Sequence, residues 1–262
     1  MKADMLEIEF WGTGTSTGVP QIRCNCEVCQ SSDPHDKRLR CSAIVRYKGQ
    51  RLLLDCGPDF RQQMLTASNN DLDALLVTHI HYDHVGGIDD LRAYCQDGDF
   101  PIYARQDVID DLKARLPYCF AEHPYLGVPR LAVTPIVENV PFNIGEVEIM
   151  PLPVMHYKLP ILGFKIGPLA YITDCKKMDD MVVEQLHHVP LLVINALRQK
   201  EHLSHMSLSE TLAVVERIAP ERTLLIHMSH DMGLHAKVNE MLPAGVELAY
   251  DGMIVQVEEE HE

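Results

Sequence analysis

The run His79-Ile80-His81-Tyr82-Asp83-His84 directly follows the apolar segment Ala74-Leu75-Leu76-Val77-Thr78. The continuous apolar segment predicts a buried strand, and the polar run predicts a loop at its end. Imidazole and carboxylate side chains are ligands that borderline divalent metals take in proteins. In an extended backbone His79 and His81 point the same way, whereas Asp83 and His84 can turn toward a second ion. The run therefore predicts a metal site rather than a packing feature.

Four further polar residues stand at the ends of predicted strands. They are Asp55, His156, Asp174 and His227, which end or follow strands predicted over 51–55, 147–151, 169–173 and 223–226. Taken singly, each is an ordinary polar residue at a strand end. Only a family resemblance joins them to the histidine-rich run.

Strands and helices alternate along the predicted chain, and no Pro/Ser-rich linker or short-period repeat divides it. This pattern predicts one α/β domain over residues 1–262, built from two packed sheets with helices outside them. Ser207 and Glu210 form a capping box that predicts a helix start. The segments 246–249 and 254–257 are predicted to form a last hairpin. The acidic tail, residues 258–262, is expected to fray.

The composition is that of a soluble globular enzyme, with 46% hydrophobic and 23% charged residues in 262. No apolar run approaches the roughly 20 residues that span a bilayer. The N-terminal sequence MKADMLEIEF lacks the apolar core of a secretory signal, so we expect a cytoplasmic protein without membrane partners. The formal charge of −15 disfavours stable nucleic-acid binding. It leaves room for a small phosphorylated substrate, because bound metal ions reverse the local field.

A second group of candidate ligands is Cys24-x-Cys26-x-x-Cys29, which places three thiols in a predicted loop. In a chain without a secretory signal, such spacing suggests a structural zinc site that lacks its fourth ligand, over the loop 24–29. The alternative is three unrelated loop cysteines.

These motifs together resemble the metallo-β-lactamase fold superfamily, and the resemblance covers nearly the whole chain. It implies an αββα sandwich, two packed mixed sheets with helices on the outer faces, and a centre of two divalent ions, Mn²⁺ or Zn²⁺. By this resemblance His79, His81 and His156 hold one ion. Asp83, His84 and His227 hold the other, Asp174 bridges both, and Asp55 supports a ligand from behind.

Within that superfamily the chain resembles the PhnP-like phosphodiesterases, which combine a Cys24-Cys26-Cys29 type cluster with a late histidine, here His230. The resemblance implies a structural Zn²⁺ on these four residues and a homodimer as an option. It also implies hydrolysis of a small phosphodiester, of the cyclic phosphoribosyl type, by a hydroxide that bridges the two ions. If His230 holds zinc and His227 a catalytic ion, Cys26→Ser is predicted to weaken the second catalytic metal.

The third candidate is His205, in Ser204-His205-Met206-Ser207-Leu208, just before the capped helix. The same resemblance implies that His205 meets the phosphate and protonates the leaving oxygen, so that it joins Asp83 and Asp174 as a catalytic residue. An imidazole beside a bound phosphate keeps its proton more readily. The alternative is a surface histidine at a helix entry.

Five other functions are weighed against this one. A pyrroloquinoline-quinone biosynthesis B-type protein shares the fold and the cysteine cluster, but tends to lack the full ligand set. A tRNA 3′-processing nuclease carries a long Gly/Pro-rich arm that this sequence does not show. A lactamase would need an export signal. A hydroxyacylglutathione hydrolase would need an extra C-terminal helical domain. A non-catalytic metal-binding scaffold predicts substituted ligand positions, and here every position is filled.

Overall fold

Two mixed β-sheets pack face to face in the computed structural model, which describes residues 4–67, 70–96, 98–121 and 125–259. The first sheet has seven strands in the order β14-β1-β2-β3-β4-β5-β6. These strands are β1 (Met5–Gly12), β2 (Ser42–Tyr47), β3 (Gln50–Leu54), β4 (Ala74–Leu76), β5 (Phe100–Ala104), β6 (Leu131–Pro135) and β14 (Ile254–Glu258). β1, β2, β3 and β14 pair antiparallel, and β3 to β6 run parallel.

The second sheet also has seven strands, in the order β13-β12-β11-β10-β9-β8-β7. They are β7 (Phe142–Ile144), β8 (Val147–His156), β9 (Leu159–Ile166), β10 (Leu169–Ile172), β11 (Leu191–Asn195), β12 (Arg222–Ile226) and β13 (Val246–Leu248). β10 to β13 run parallel, whereas β7, β8, β9 and β10 pair antiparallel. The carboxyl ends of both parallel stretches carry polar residues, and this is where the candidate site forms.

Seven short α-helices complete the fold in the described part of the chain. They are α1 (Glu27–Gln30), α2 (Phe60–Thr66), α3 (Tyr82–Val85), α4 (Gln106–Arg115), α5 (Asp180–Gln185), α6 (Leu208–Ile218) and α7 (His235–Asn239). Single 3-10 segments occupy Pro34–Asp36, Ile88–Tyr94, Pro117–Phe120 and His230–Met232. In the part of the chain that the structure describes, none of these helices is long and apolar enough to cross a bilayer.

Three apolar cores account for the layers. The central core lies between the sheets and contains side chains such as Phe10, Phe164 and Tyr171. One outer core packs residues of the first sheet against helical ones such as Phe60 and Leu112, and the other does the same for the second sheet. Burying an apolar stripe of each helix on an outer sheet face is the dominant stabilising term in such an architecture. The predicted αββα sandwich is thereby confirmed.

The capping box at the start of α6 is present as predicted. The Ser207 side chain accepts from the Glu210 amide, and the Glu210 carboxylate accepts from the Ser207 amide. The last predicted hairpin is wrong. β13 pairs with β12 and β14 pairs with β1, so the two segments lie in different sheets.

The acidic tail is only partly described. Glu258 is the last residue of β14, and the Glu259 amide donates to the carbonyl oxygen of Asp4. These two residues of the tail that was expected to fray therefore have backbone partners. Residues 260–262 lie outside the described residues.

A candidate metal centre at the strand ends

Both sheets deliver polar residues to one edge of the sandwich. Asp55 follows β3, His79 follows β4, His156 ends β8, Asp174 follows β10 and His227 follows β12. Three of them, Asp55, Asp174 and His227, have φ angles of 59°, 54° and 57°. Non-glycine residues rarely adopt this left-handed conformation, and where they do it commonly marks a functional site. The backbone here turns sharply so that each side chain faces the space between the sheets.

Four buried ligand atoms converge in the first part of the site. Asp83, His84, Asp174 and His227 each contribute one atom to a set within 4.8 Å of one another. The His84 Nε2 and the His227 Nε2 each lie 3.2 Å from a carboxylate oxygen of Asp174. Within the described residues, neither nitrogen makes a hydrogen bond of normal geometry. Buried imidazole nitrogens without partners, facing carboxylates, form a donor set that suits a divalent cation.

Charge in this cluster is concentrated as a metal centre requires. Burial opposes protonation of His84, but the carboxylates of Asp174, Asp83 and Asp55 outweigh it and raise the pKa of His84 well above its usual value. Burial likewise opposes ionisation of Asp174, yet the His227 and His84 imidazoles hold its pKa well below the usual range. The residues thus favour positive charge at their centre.

Asp55 fixes the orientation of His84. Its Oδ2 accepts a hydrogen bond from the His84 Nδ1 at 2.7 Å and from the Thr78 hydroxyl at 2.8 Å. Its Oδ1 accepts from the Thr78 amide at 2.8 Å. A proton held on Nδ1 leaves the His84 Nε2 lone pair facing Asp83 and Asp174, which is the arrangement that ligation needs.

The second part of the site is formed mostly by imidazole rings. The His81 ring lies 4.7 Å from that of His79 and 5.0 Å from that of His156. The His156 Nδ1 donates to the carbonyl oxygen of Asp174 at 2.8 Å, leaving its Nε2 available. Burial lowers the pKa of His79 and of His81, and a neighbouring histidine lowers each further. Both rings are therefore neutral, as ligands must be.

The three histidines expected to share one ion are adjacent but do not form a closed set. The His79 Nε2 lies 3.0 Å from the His81 Nδ1, so the two rings share a hydrogen bond. The set of ligand atoms that does close consists of His156, Asp174 and His205. Asp174 belongs to both closed sets, which is the position that a bridging carboxylate needs.

His205 lies inside the site rather than on the surface. Its Nδ1 is 3.6 Å from Asp174, and its ring centroid is 4.6 Å from that of His156 and 4.9 Å from that of His227. Burial, opposed by Asp174, lowers the pKa of His205 to about 3. In the free protein His205 is therefore neutral, and its unprotonated ring nitrogen can accept a hydrogen bond or bind a cation.

The cysteine cluster also closes around the late histidine. Cys24, Cys26, Cys29 and His230 offer four atoms within 4.8 Å of one another. The Sγ atoms of Cys24 and Cys26 lie 3.6 and 3.3 Å from the His230 Nδ1. Burial opposes ionisation of Cys26, but the Cys29 amide and hydrogen bonds from Cys24 and His230 outweigh it and lower its pKa to about 6. Three thiols and one imidazole fit a tetrahedral zinc site.

Three residues that support the site were not singled out from the sequence. Thr78 holds Asp55, as described above. Asn195, fully buried at the end of β11, accepts from the Cys175 amide at 2.7 Å and donates to the Cys175 carbonyl at 3.0 Å, which fixes the chain after Asp174. Gly57 is needed because a Cβ there would lie 2.1 Å from the carbonyl oxygen of Asp83. A polar residue ending the apolar run 191–195 was the signal that could have identified Asn195.

Comparison with known proteins agrees with this geometry. The family model of the beta-lactamase superfamily domain matches residues 50–228. The crystal structure of a diphosphatase from the PhnP family superposes with a TM-score of 0.90, at 35% identity over 97% of this chain and 98% of that chain.

Two curated relatives carry other names. An octanoyltransferase of Porphyromonas gingivalis is 44% identical over 95% of this chain, which spans about half (51%) of that protein's length. The coenzyme PQQ synthesis protein B of Acinetobacter baylyi is 22% identical over 95% of this chain and 99% of that protein. Both similarities extend along nearly all of this chain.

Proposed function

Since this chain belongs to the beta-lactamase superfamily and, within it, to the PhnP family, we propose that it is a metal-dependent hydrolase of small phosphodiesters. The observation that carries this proposal is the buried Asp83-His84-Asp174-His227 set, which shares Asp174 with a second set. Two such sets match the arrangement used to clamp the oxygens of an in-line phosphoryl displacement.

We assign the ligands as the family resemblance implies. His79, His81 and His156 serve one ion, Asp83, His84 and His227 the other, and Asp174 both. Divalent ions bound there would polarise a phosphoryl oxygen and make water a stronger nucleophile. The closed set that includes His205 makes this residue either a further ligand or the group nearest the substrate phosphate. We propose the second role because His79, His81, His156 and Asp174 already give the ion beside His205 four ligands in this assignment.

The chain's own residues then perform the remaining steps. Asp55 keeps the Nε2 of His84 directed at the site, and His156 is held by the Asp174 carbonyl. In the hydrolysis, a water oxygen forms a bond to phosphorus and releases a proton to solvent, the bond from phosphorus to the leaving alkoxide breaks, and the leaving oxygen takes up a proton. The bound substrate phosphate raises the proton affinity of the His205 imidazole, which faces Asp174. His205 then donates its proton to the leaving oxygen.

Zinc on Cys24, Cys26, Cys29 and His230 completes the proposal as a structural site. All eight cysteines of the chain are free thiols. Among the described residues, the site at His230 is the one place where three of them meet. Because thiolate ligands favour Zn²⁺ over Mn²⁺, this site is expected to hold zinc whichever metal the histidine cluster takes.

Octanoyl transfer is not what this cluster supports. The two cysteines beside the site, Cys56 and Cys175, are fully buried. Burial raises the pKa of Cys175 to about 12 and that of Cys56 well above its usual value, so neither offers a nucleophilic thiolate. The relative that bears this name is about twice as long as the present chain, so the name does not define this part of it.

A substrate panel tests the proposal. Purified protein is assayed with Mn²⁺ or Zn²⁺ on bis-p-nitrophenyl phosphate, 2′,3′-cyclic nucleotides, phosphoribosyl cyclic phosphate, a dinucleoside diphosphate and an octanoyl thioester. Metal content is measured on the same sample. We expect hydrolysis of phosphate esters, abolished by chelator and restored by metal. Turnover of the thioester alone would overturn the proposal, and so would one ion per chain with no hydrolysis, which favours a scaffold.

A further inference from the structure

The turn that joins β8 to β9 contains an aromatic residue in an unfavourable conformation. His156 pairs with Leu159, so Tyr157 and Lys158 form a two-residue hairpin loop. Tyr157 has a φ of 55°. Such turns favour glycine, asparagine or aspartate where φ is positive, and a bulky side chain there is an outlier. The fold alone therefore gives no reason for a tyrosine at this position.

The position of this turn beside the candidate centre gives a reason for the tyrosine. His156 is the last residue of β8, and its ring lies among those of His81 and His205. Consecutive Cα atoms are about 3.8 Å apart, so Tyr157 begins directly beside this ring cluster. Three of the strand ends that form the site, Asp55, Asp174 and His227, share this left-handed conformation, as do five non-glycine residues elsewhere among the described residues. The turn therefore adjoins the candidate centre through His156.

The chemistry of the turn suits a particular ligand. The Tyr157 side chain is 48% exposed, and the Lys158 ammonium lies 5.3 Å from its ring centroid. Tyr82, within the metal-binding run, is a second aromatic residue with 65% exposure. An open aromatic face stacks on a nucleobase whatever its identity, and a lysine ammonium binds phosphate as a point charge.

We propose that Tyr157 and Lys158 form a nucleotide-binding platform at the mouth of the site, with the base stacked on Tyr157 and a phosphate held by Lys158. This inference rests on the proposed function and narrows it. The substrate is then a nucleoside-containing phosphodiester or diphosphate, one part of which is recognised outside the reacting centre. The formal charge of −15 favours a single nucleotide unit over a polynucleotide.

Two esters with the same leaving group test this inference by kinetics. Thymidine 5′-p-nitrophenyl phosphate and methyl p-nitrophenyl phosphate differ only in the nucleoside. Tyr157→Asn keeps a residue that tolerates positive φ and removes the ring. It should lower kcat/KM for the thymidine ester by about 5- to 100-fold, the equivalent of one base stack, and for the methyl ester by less than about twofold. Tyr157→Phe should retain the preference.

Matched controls separate stacking from folding and from charge. Tyr125 is another exposed tyrosine, at 71% exposure, in the segment before β6, and Tyr125→Asn should leave both rates unchanged. Lys158→Ala should weaken inhibition by thymidine 5′-monophosphate and by inorganic phosphate by similar factors. Tyr157→Asn should weaken only the former. An equal loss on both esters in Tyr157→Asn would overturn the platform while leaving the proposed function intact.

If neither ester is hydrolysed, that result counts against the proposed function. A binding measurement then still tests the nucleotide-binding platform. Calorimetric titration of the protein as purified compares thymidine 5′-monophosphate with inorganic phosphate. We expect the nucleotide to bind at least about fivefold more tightly, and the difference to vanish in Tyr157→Asn but persist in Tyr157→Phe. Equal affinities for the two ligands in the unmodified protein would overturn the inference.

Discussion

Asp55→Asn is the sharpest probe of how the candidate centre is held. The carboxylate is fully buried and receives three hydrogen bonds, from the Thr78 amide, the Thr78 hydroxyl and the His84 Nδ1. An amide of the same shape keeps one acceptor oxygen. Its NH₂ group must then face either the Thr78 amide or the pair formed by the Thr78 hydroxyl and His84.

The consequence falls on the tautomer of His84. An NH₂ donor facing Nδ1 moves the imidazole proton to Nε2, the atom that faces Asp83 and Asp174 at 3.2 Å. A charge-assisted hydrogen bond contributes about 1.5–3 kcal/mol. Partners that orient a ligating histidine change metal affinity by about 10- to 100-fold, or roughly 1.4–2.8 kcal/mol. The two estimates agree, so we expect the second ion to bind about 10- to 100-fold more weakly.

The assay is a competition titration with a chromophoric chelator, supported by ¹⁵N NMR of the histidine side chains to identify the tautomer. Loss of the Asp55 charge also lowers the pKa of His84, which eases proton competition with the metal. That opposing effect fades as pH rises, so affinities are compared over pH 6 to 9. Asp73→Asn is the control, because Asp73 pairs with Arg51 just before β4, at the strand end away from Thr78. Unchanged affinity together with an unchanged tautomer would refute the reasoning.

Three further outcomes are expected. Asp174→Ala should abolish hydrolysis and lower the metal content, because Asp174 belongs to both closed ligand sets; near-normal turnover with two ions retained would count against this. His205→Ala should keep both catalytic ions but slow alkyl ester hydrolysis by about 10²- to 10⁴-fold, and p-nitrophenyl esters less, whereas loss of metal would make His205 a ligand. Burial raises the pKa of Asp251 to about 6, so the protonated acid is favoured in the fold. Relative to Asp251→Asn, the unfolding free energy of the unmodified protein should fall by about 2.4 kcal/mol between pH 4 and pH 7, measured by urea denaturation; no fall would reject the shift.

The sequence predicted the site better than it predicted the sheet edges. Ligand residues follow short apolar strands, whose continuous runs are unambiguous, so the strand ends at Thr78, Asp174 and His227 were close to correct. β8 was cut short at Pro151 because proline is usually excluded from strand interiors. Here the strand continues through Pro151 and Pro153 to His156, which makes His156 a strand residue rather than a loop residue.

The pairing of the C-terminal strands could not be read locally. Asp251-Gly252 between two apolar runs is a strong hairpin signal. The Asp251 carboxylate instead accepts from the Thr13 amide, the Thr13 hydroxyl and the Leu39 amide, more than 200 residues away in the chain. These contacts direct β14 onto β1, while β13 remains on β12. Only the tertiary partners of Asp251 distinguish this crossing from a hairpin.

Those contacts also change what is expected of the cysteine cluster. His227 and His230 are three residues apart, and the sequence alone suggested that the cluster aims His227. In the structure the intervening residues have their own anchors. The Met228 amide donates to Thr13, the Thr15 amide donates to Met228, and the Ser229 amide donates to Leu197, each at 2.9–3.0 Å. His227 is therefore held from the Thr13 side whether or not His230 has a partner.

This arrangement predicts which of two substitutions weakens catalytic metal binding more. Cys26→Ser should remove one zinc ion and raise hydrogen exchange over residues 21–31, because structural zinc contributes folding energy directly. The catalytic metal affinity should fall by less than about threefold, since three backbone hydrogen bonds still fix Met228 and Ser229. Asp251→Ala lies away from the cluster, yet it removes the oxygen that accepts both Thr13 hydrogen bonds and should weaken the catalytic metal by about tenfold through a displaced His227. The reverse ranking in metal titrations of the two variants would show that the zinc, not Thr13, positions His227.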